Sequence, residues 1–257
     1  EKRIVLITGA SGGVGSALCE VLKKDYHLIG LDLTPCESAH ESYECDFTSK
    51  DSISLALYKI HEKHGGHIAC VIHLAAYYDF SGEDNPLYEA LNVKGTADFL
   101  TELQRFDVDH FIYSSTMLIH RAGVPGEKIT EDTPIEPGWT YPQSKADAEE
   151  AIRSHHGKIP YTLLRMAGLY DDHTAVPTLS YQIARIYERQ FKSWVYSGDK
   201  MAGQAFLHKD DMVSLFTELV EKRHEVPKEN VLLAGEDSVM GYQALQNRIG
   251  HLIYGER

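Results

Sequence analysis

A glycine-rich string directly after an apolar strand constrains this chain more than any other feature. Residues 4–7 form a continuous aliphatic run, which is typical of a strand buried on both faces. Gly9, Gly12 and Gly15 follow at intervals of three and open a segment, 14–24, with helical periodicity. Such a turn lets the backbone approach a pyrophosphate and aims a helix N-terminus at its negative charge. The order predicts a dinucleotide site that also includes the residues between these glycines, Ser11, Gly13 and Val14.

Strand and helix patterns alternate regularly as far as residue 165. Apolar runs predict strands at 4–7, 27–31, 42–45, 69–74, 110–114 and 161–165, and periodic segments predict helices at 14–24, 49–64, 87–104 and 144–155. Because this alternation requires crossovers of one hand, it predicts an α/β fold with a doubly wound parallel sheet of the Rossmann type.

The alternation loosens after residue 165. Helices are predicted at 177–191, 210–222 and 243–253, and strands at 194–196 and 230–234. We therefore predict a cofactor-binding domain over 1–165, to which 203–222 returns, and a small α/β substrate lobe over 166–257. A helical pattern runs almost to the last residue, from which we expect the lobe to be truncated at its C-terminus.

Composition and charge exclude several classes of function. The formal net charge of -13 opposes binding to nucleic acid or to an anionic membrane surface. No apolar stretch reaches the length of a membrane span. The four cysteines lack metal-ligand spacing, which favours reduced thiols and a cytoplasmic location. The 14 histidines show no paired metal-binding motif, so no metal is predicted.

Three further strand ends carry residues suited to a dinucleotide. Asp32 ends the second strand, where a carboxylate accepts hydrogen bonds from ribose hydroxyls and repels a 2′-phosphate, so NAD is favoured over NADP. Asp46 and Phe47 follow the third strand and could hold and pack an adenine ring, although a plain turn explains this pair as well. The fourth strand ends in residues that allow close backbone approach or tight packing, namely Leu74, Ala75 and Ala76.

A tyrosine and a lysine form the candidate reacting centre. Tyr141 and Lys145 are four residues apart and share one helix face. A nearby ammonium group lowers the pKa of a phenol, and the phenol can then transfer a proton near neutral pH. Ser114, Ser115 and Thr116 end a strand upstream and could place a hydroxyl beside the phenol, or could simply cap a turn.

The chain resembles the extended short-chain dehydrogenase/reductase family, the NAD-dependent epimerase/dehydratases, from residue 3 to about residue 213. Asp32 and the Asp46–Phe47 pair match the family pattern. The remaining matches are TGASGGVG at 8–15, HLAA at 73–76, NVKGT at 92–96, YPQSK at 141–145 and FLHKDD at 206–211.

The resemblance implies roles for the matching residues. Tyr141 would be the catalytic acid/base, and Lys145 would lower its pKa and bind the nicotinamide ribose. Thr116 would be the catalytic hydroxyl, with Ser115 as the alternative. Asn92 and Ser114 would lie near the cofactor. The resemblance also implies a homodimer formed through the helices at 87–104 and 144–155.

Two departures from the family pattern concern the substrate. Met117 and Leu118 stand where sugar-nucleotide dehydratases carry an Asp-Glu pair, and this argues against dehydration because neither side chain can transfer a proton. Gly168 stands where many nucleotide-sugar enzymes carry a substrate-binding Asn, which puts an ordinary UDP-sugar epimerase in doubt. We therefore expect an NAD-dependent oxidoreductase or epimerase acting at a secondary alcohol of a sugar or sugar derivative. The alternatives are a sugar-acid dehydrogenase and a non-catalytic NAD-binding sensor or scaffold.

Overall fold

The chain folds around one seven-stranded parallel sheet. The computed structural model describes residues 2–79, 81–196 and 198–255. In chain order the strands are β1 (Ile4–Thr8), β2 (His27–Asp32), β3 (Glu41–Glu44), β4 (His67–Ile68), β5 (Cys70–His73), β6 (Asp107–Val108), β7 (Phe111–Thr116), β8 (Tyr161–Met166), β9 (Gly168–Tyr170), β10 (Phe206–His208) and β11 (Glu229–Ala234). The large sheet has the order β3-β2-β1-β5-β7-β8-β11, so the direction of winding reverses between β1 and β5. Ligands of such sheets bind at this reversal, outside the carboxyl ends of the strands.

Helices cover both faces of the sheet. They are α1 (Gly13–Leu22), α2 (Lys50–His64), α3 (Thr96–Leu103), α4 (Thr140–His155), α5 (Pro177–Tyr187), α6 (Lys209–Glu221) and α7 (Tyr242–Tyr254). Apolar side chains of α2, α3 and α4 form a core on one face, and those of α1 and α6 form a core on the other. This confirms the predicted doubly wound Rossmann fold.

The helix predicted at 87–104 is two helices of different winding. Tyr88–Gly95 is π-helical and continues directly into α3. Gly95 lies against the loop between β3 and α2 so closely that a Cβ there would stand 2.3 Å from the Phe47 carbonyl oxygen. Eight residues are too few for side-chain periodicity to separate a π-helix from an α-helix, which is why the sequence predicts a single element.

The C-terminal part forms a small lobe and also completes the large sheet. In the lobe, β9 and β10 pair in parallel, and α5 packs against α7. The division at residue 165 remains a prediction, but β11 pairs with β8 and so places 229–234 in the large sheet. The strand predicted at 194–196 is wrong, because a 3₁₀ turn at Phe191–Ser193 precedes irregular chain there.

The structure bears on the expectations of reduced cysteines and of no membrane span. All four cysteines are buried free thiols. Among the described residues, no helix is both long and apolar enough to cross a bilayer. The cytoplasmic location, the homodimer and the absence of nucleic-acid and membrane partners remain predictions.

Candidate active site

The glycine turn has the geometry that a dinucleotide needs. Gly9 has a φ of +65°, and α1 begins at Gly13 with Gly12 as its N-cap. A Cβ on Gly15 would lie 2.4 Å from the Gly9 carbonyl oxygen, so a glycine is required there for the turn to pack on its helix. A Cβ on Gly13 would meet no atom within 4 Å. The turn therefore faces open space at the helix N-terminus, and this arrangement fits a pyrophosphate.

Asp32 lies beside the glycine turn at the end of β2. Its Oδ2 accepts a hydrogen bond from the Ser11 backbone N–H at 3.0 Å, and its Oδ1 accepts one from the Leu33 N–H at 2.7 Å. Each carboxylate oxygen has a further lone pair to offer to a hydroxyl. Asp32 thus stabilises the turn and still presents negative charge where a ribose would lie.

A chain of hydrogen bonds joins β1 to the start of α3. The Thr8 hydroxyl accepts from the backbone N–H groups of Leu74 and Ala75, so its own hydrogen is left to donate to His73 Nδ1, 2.7 Å away. His73 Nε2 then donates to the Thr96 hydroxyl at 3.0 Å, and Thr96 donates to the Asn92 carbonyl oxygen. Burial lowers the pKa of His73 to about 3, and the nearby Lys145 lowers it as well. His73 is therefore a neutral core residue of fixed tautomer.

The small residues after β5 pack against the glycine turn. A Cβ added to Gly9 would lie 3.0 Å from the Ala75 backbone nitrogen. Leu74, Ala75 and Ala76 are all partly buried. Tight packing accounts for them, and their predicted contact with a cofactor is still untested.

Asn92 connects the segment after β5 to the helix that carries the candidate acid/base. Its amide accepts from the Tyr77 N–H and donates to the Tyr77 carbonyl and to the Ser144 hydroxyl. Ser144 in turn donates to the carbonyl oxygen of Tyr141. Asn92 is buried and holds the walls of the site together.

The two residues after β3, Asp46 and Phe47, have different surroundings. The Phe47 ring is buried in the core, with its centroid 5.2 Å from that of Phe99 and 5.4 Å from that of His73. The ring is therefore a core residue, and its packing on an adenine ring stays a prediction. Asp46 is half-buried, and its Oδ1 accepts from the backbone N–H and the hydroxyl of Thr48.

The three hydroxyl residues that end β7 have different surroundings. Ser114 donates to the His73 carbonyl oxygen, and its own carbonyl accepts from Lys145 Nζ at 2.6 Å. Ser115 is buried and donates to Glu149 Oε1 at 2.6 Å. Thr116 lies at the strand end, and its hydroxyl accepts from the Leu118 N–H at 3.2 Å. Of the two candidates for the catalytic hydroxyl, the geometry favours Thr116, because Ser115 is held by a buried carboxylate.

Aromatic rings surround Tyr141 in the first turn of α4. The rings of Tyr78, Trp139 and Tyr88 lie 4.7, 5.5 and 6.3 Å from it. Burial raises the pKa of the Tyr141 phenol above its ordinary value, and the phenols of Tyr78 and Tyr88 raise it further. The predicted lowering of this pKa is not seen here, because these rings exclude water and supply no positive charge.

Lys145 is buried one turn further along α4. Its ammonium donates to the Ser114 carbonyl and lies 4.5 Å from the centroid of the Tyr113 ring. Burial lowers the pKa of Lys145 to about 7, although the Glu149 carboxylate opposes this. The ammonium is thus fixed at the end of β7 and can lose its charge near neutral pH.

A buried ion pair lies behind the site, and the sequence reasoning missed it. Glu149 and Arg165 make two hydrogen bonds, of 3.0 and 2.7 Å, and their side chains are 2% and 4% exposed. His120 lies 3.2 Å from Arg165 Nη1, and Arg153 approaches Glu149 from the surface. Tyr141, Lys145 and Glu149 recur every four residues on one face of α4, and that spacing was the available signal.

The fold and these groups define an α/β protein of the dinucleotide-binding class. The model of the NAD dependent epimerase/dehydratase family matches residues 5–235, and the chain belongs to this family. The predicted family and its cofactor, NAD, are thereby confirmed.

Individual relatives agree with the family assignment. Human short-chain dehydrogenase/reductase family 42E member 1 is 28% identical over 235 residues, which cover 83% of this chain and 57% of that protein. The N-acetyl-alpha-D-glucosaminyl-diphospho-ditrans,octacis-undecaprenol 4-epimerase of Escherichia coli O157:H7 is 28% identical over 157 residues, covering 61% and 44% of the two chains. The chain thus spans about half the length of these curated relatives.

A solved structure shows the same fold. UDP-glucuronic acid 4-epimerase from Bacillus cereus, in complex with UDP-glucuronic acid and NAD, superposes with a TM-score of 0.75 at 21% identity. The match covers 99% of this chain and 84% of that one.

Proposed function

We propose that this chain carries out NAD-dependent hydride transfer at a secondary alcohol of a sugar or sugar derivative, as an epimerase or a dehydrogenase. Tyr141 is the acid/base, Thr116 is the second hydroxyl, and Lys145 positions the cofactor ribose. NAD supplies the hydride acceptor when bound, and the glycine turn and Asp32 hold its phosphates and adenosine ribose. The relatives named as sugar epimerases support this reaction class.

The proposal rests mainly on the contact between the end of β7 and the first turns of α4, near the reversal of winding in the sheet. Lys145 Nζ lies 2.6 Å from the Ser114 carbonyl, which joins the first turns of α4 to the end of β7. Thr116 is two residues further along that strand, and Tyr141 is one turn earlier on that helix. Both hydroxyls therefore lie near the carboxyl edge of the sheet, where a cofactor bound at the glycine turn would extend.

The charges near Tyr141 determine whether its phenol acts as an acid or as a base. With a raised pKa, Tyr141 keeps its proton at neutral pH and is ready to act as an acid. To act as a base it needs positive charge nearby, and a protonated Lys145 or an oxidised nicotinamide ring can supply it. The proposed action of Tyr141 as a base therefore depends on the charge of Lys145 or of the bound oxidised cofactor.

The departures at 117, 118 and 168 bear on the substrate. Met117 packs against the core and Leu118 is 40% exposed. Neither side chain has an ionisable group, so neither can transfer a proton in a dehydration. A Cβ on Gly168 would lie 2.9 Å from Gln204 Nε2, so the Gln204 amide occupies the space beside this glycine. We propose that Gln204 makes the polar contact that an Asn at 168 would otherwise make.

A cavity in the lobe offers room for the rest of the substrate. It has a volume of about 750 Å³ and lies between α5, α7 and the segment before β10. Gln204 lines it, as do two cationic side chains, Arg185 and Lys192, and one carboxylate, Glu188. This lining supports a substrate that carries an anionic group, such as a uronate or a diphosphate.

The function is tested by a screen with the purified chain. UDP-glucose, UDP-glucuronate and free glucuronate are each incubated with NAD, and products are followed by NADH absorbance and by proton NMR. Inverted sugar without net NADH indicates an epimerase, and accumulating NADH indicates a dehydrogenase. NAD binding without turnover of any secondary alcohol would support the sensor alternative and contradict the proposal.

Replacing Asp32 with asparagine is expected to weaken NAD binding about tenfold or more and to reduce the preference for NAD over NADP, because a hydrogen bond to a charged group contributes about 1.5–3 kcal/mol. Asparagine keeps an oxygen for the Ser11 N–H but removes the charge that repels a 2′-phosphate. Both affinities are measured by calorimetry, with the exposed Asp25→Asn as the control. An unchanged ratio of the two affinities would show that Asp32 does not select the cofactor.

A further inference from the structure

Two histidines and a glutamate from distant parts of the chain meet at the amino edge of the sheet. His27 is the first residue of β2, Glu41 the first of β3, and His64 the last of α2. Their ligand atoms all lie within 4.8 Å of one another. Glu41 Oε1 is 3.1 Å from His27 Nε2 and 3.1 Å from His64 Nε2. We propose that these three side chains form a zinc site.

The donor set suits this ion. Zn²⁺ binds imidazole nitrogen and carboxylate oxygen at about 2.0–2.2 Å in tetrahedral geometry, which separates neighbouring ligand atoms by about 3.4 Å. Two of the three separations, at 3.1 Å, are close to this value, and the third, between the two histidines, is within 4.8 Å and would shorten on binding. Three protein ligands leave the fourth position for water.

The surroundings also support binding. The Tyr43 hydroxyl donates to Glu41 Oε2 at 3.0 Å and orients the carboxylate, as outer partners of metal ligands do. All three side chains are partly buried, at 29% exposed for His27, 18% for Glu41 and 16% for His64. The His40 ring stacks on His27 at 5.0 Å and limits its movement.

The ammonium of Lys63 occupies part of the site. It lies 2.8 Å from Glu41 Oε2, and its side chain is 58% exposed. A divalent ion at the three ligands would compete with this cation, and a long exposed side chain can move into solvent at little cost. Lys63 therefore acts as a competitor rather than as part of the zinc site.

The zinc site is separate from the hydride-transfer site. His27 and Asp32 are opposite ends of β2, five residues or about 16 Å apart along the strand. The ion would connect β2, α2 and the four-residue edge strand β3. Its effect would be to stabilise this edge of the sheet, so the inference does not depend on the proposed function.

Calorimetry with zinc chloride on the EDTA-treated, thiol-reduced chain tests the site. We expect the unchanged protein to bind one Zn²⁺ per chain. The affinity should be at least about tenfold weaker in His27→Ala, His64→Ala and Glu41→Gln, because losing even a group that only hydrogen-bonds to a metal ligand lowers metal affinity about tenfold or more. Lys63→Ala should bind zinc as tightly or more tightly. His251→Ala, on the exposed face of α7, is the matched control.

A second measurement covers variants that fold poorly. Zinc at a hundredfold excess over its dissociation constant should raise the folding equilibrium constant of the unchanged protein about 100-fold, seen as a higher melting temperature. The absence of stoichiometric zinc binding by the unchanged protein would overturn the proposal. Equal affinities in His64→Ala and His251→Ala, or a loss of affinity in Lys63→Ala like that in His64→Ala, would overturn it too.

Discussion

Replacing Tyr141 with phenylalanine is expected to lower turnover by about 10²–10⁴-fold, the usual contribution of a positioned acid/base. The ring and its contacts with Tyr78 and Trp139 are kept, and only the proton-carrying oxygen is lost. NAD affinity should stay close to that of the unchanged chain, because the glycine turn and Asp32 are untouched. The measurement is kcat for the substrate found in the screen, together with NAD binding by calorimetry.

Tyr58→Phe is the matched control for this variant. Tyr58 lies on α2 and is 56% exposed, so removal of its hydroxyl should leave kcat unchanged. If Tyr141→Phe turns over its substrate as fast as Tyr58→Phe does, Tyr141 is not the acid/base. If NAD affinity falls together with kcat, the phenol has a binding role instead.

Replacing Glu149 with glutamine is expected to lower the free energy of unfolding by about 3–5 kcal/mol, because it leaves the Arg165 guanidinium buried without a counter-charge. Ser115 also loses its charged acceptor. Urea unfolding followed by circular dichroism measures the change. Glu150→Gln is the control, since this neighbouring carboxylate is 74% exposed.

A double variant distinguishes the effect of an unpaired charge on stability from the effect of altered packing. Glu149→Leu with Arg165→Met removes both charges and should recover much of the stability, because an apolar pair of similar volume avoids the desolvation penalty. If the single and double variants are equally unstable, the destabilisation does not come from an unpaired charge. Equal stability of Glu149→Gln and Glu150→Gln would show that the ion pair contributes little.

The same ion pair gives a pH dependence of known sign. Burial opposes ionisation of Glu149, but hydrogen bonds from Arg165 and Ser115 outweigh it and keep the pKa below the ordinary 4.5. A carboxyl whose pKa is lower in the folded state stabilises the fold fully above 4.5 and loses that contribution as the pH falls below it. The acid limb of the stability curve should therefore become shallower in the double variant.

The sequence predicts those parts of the site that depend on local spacing. The glycine turn must follow a strand and open a helix, and Asp32 must end the next strand, so a single stretch of chain specifies both. Tyr141, Lys145 and the hydroxyl cluster at 114–116 are predicted in the same way, from a helical spacing and a strand end, and the family resemblance selects Thr116 from that cluster. Residues placed by local geometry are the ones that a sequence can reveal.

What the sequence could not predict depends on contacts between distant segments. The position of the Phe47 ring in the core depends on Phe99, which follows it by 52 positions. The raised pKa of Tyr141 depends first on its burial and then on the phenols of Tyr78 and Tyr88, which no spacing connects to it. Single-motif searches also miss His27, Glu41 and His64, since the sheet topology alone brings them together.

The hydrogen-bonded chain from Thr8 through His73 to Thr96 has a consequence for how this protein can vary. Each group in this series of hydrogen bonds donates to the next one, from Thr8 on β1 through His73 and Thr96 to the Asn92 carbonyl oxygen in the π-helix. Valine at position 8 would have nearly the shape of threonine but would leave the Ala75 backbone N–H and the Nδ1 of His73 without the hydroxyl that pairs with them. Positions 8 and 96 are therefore constrained by the direction of their hydrogen bonds rather than by volume, although neither is proposed to touch a substrate.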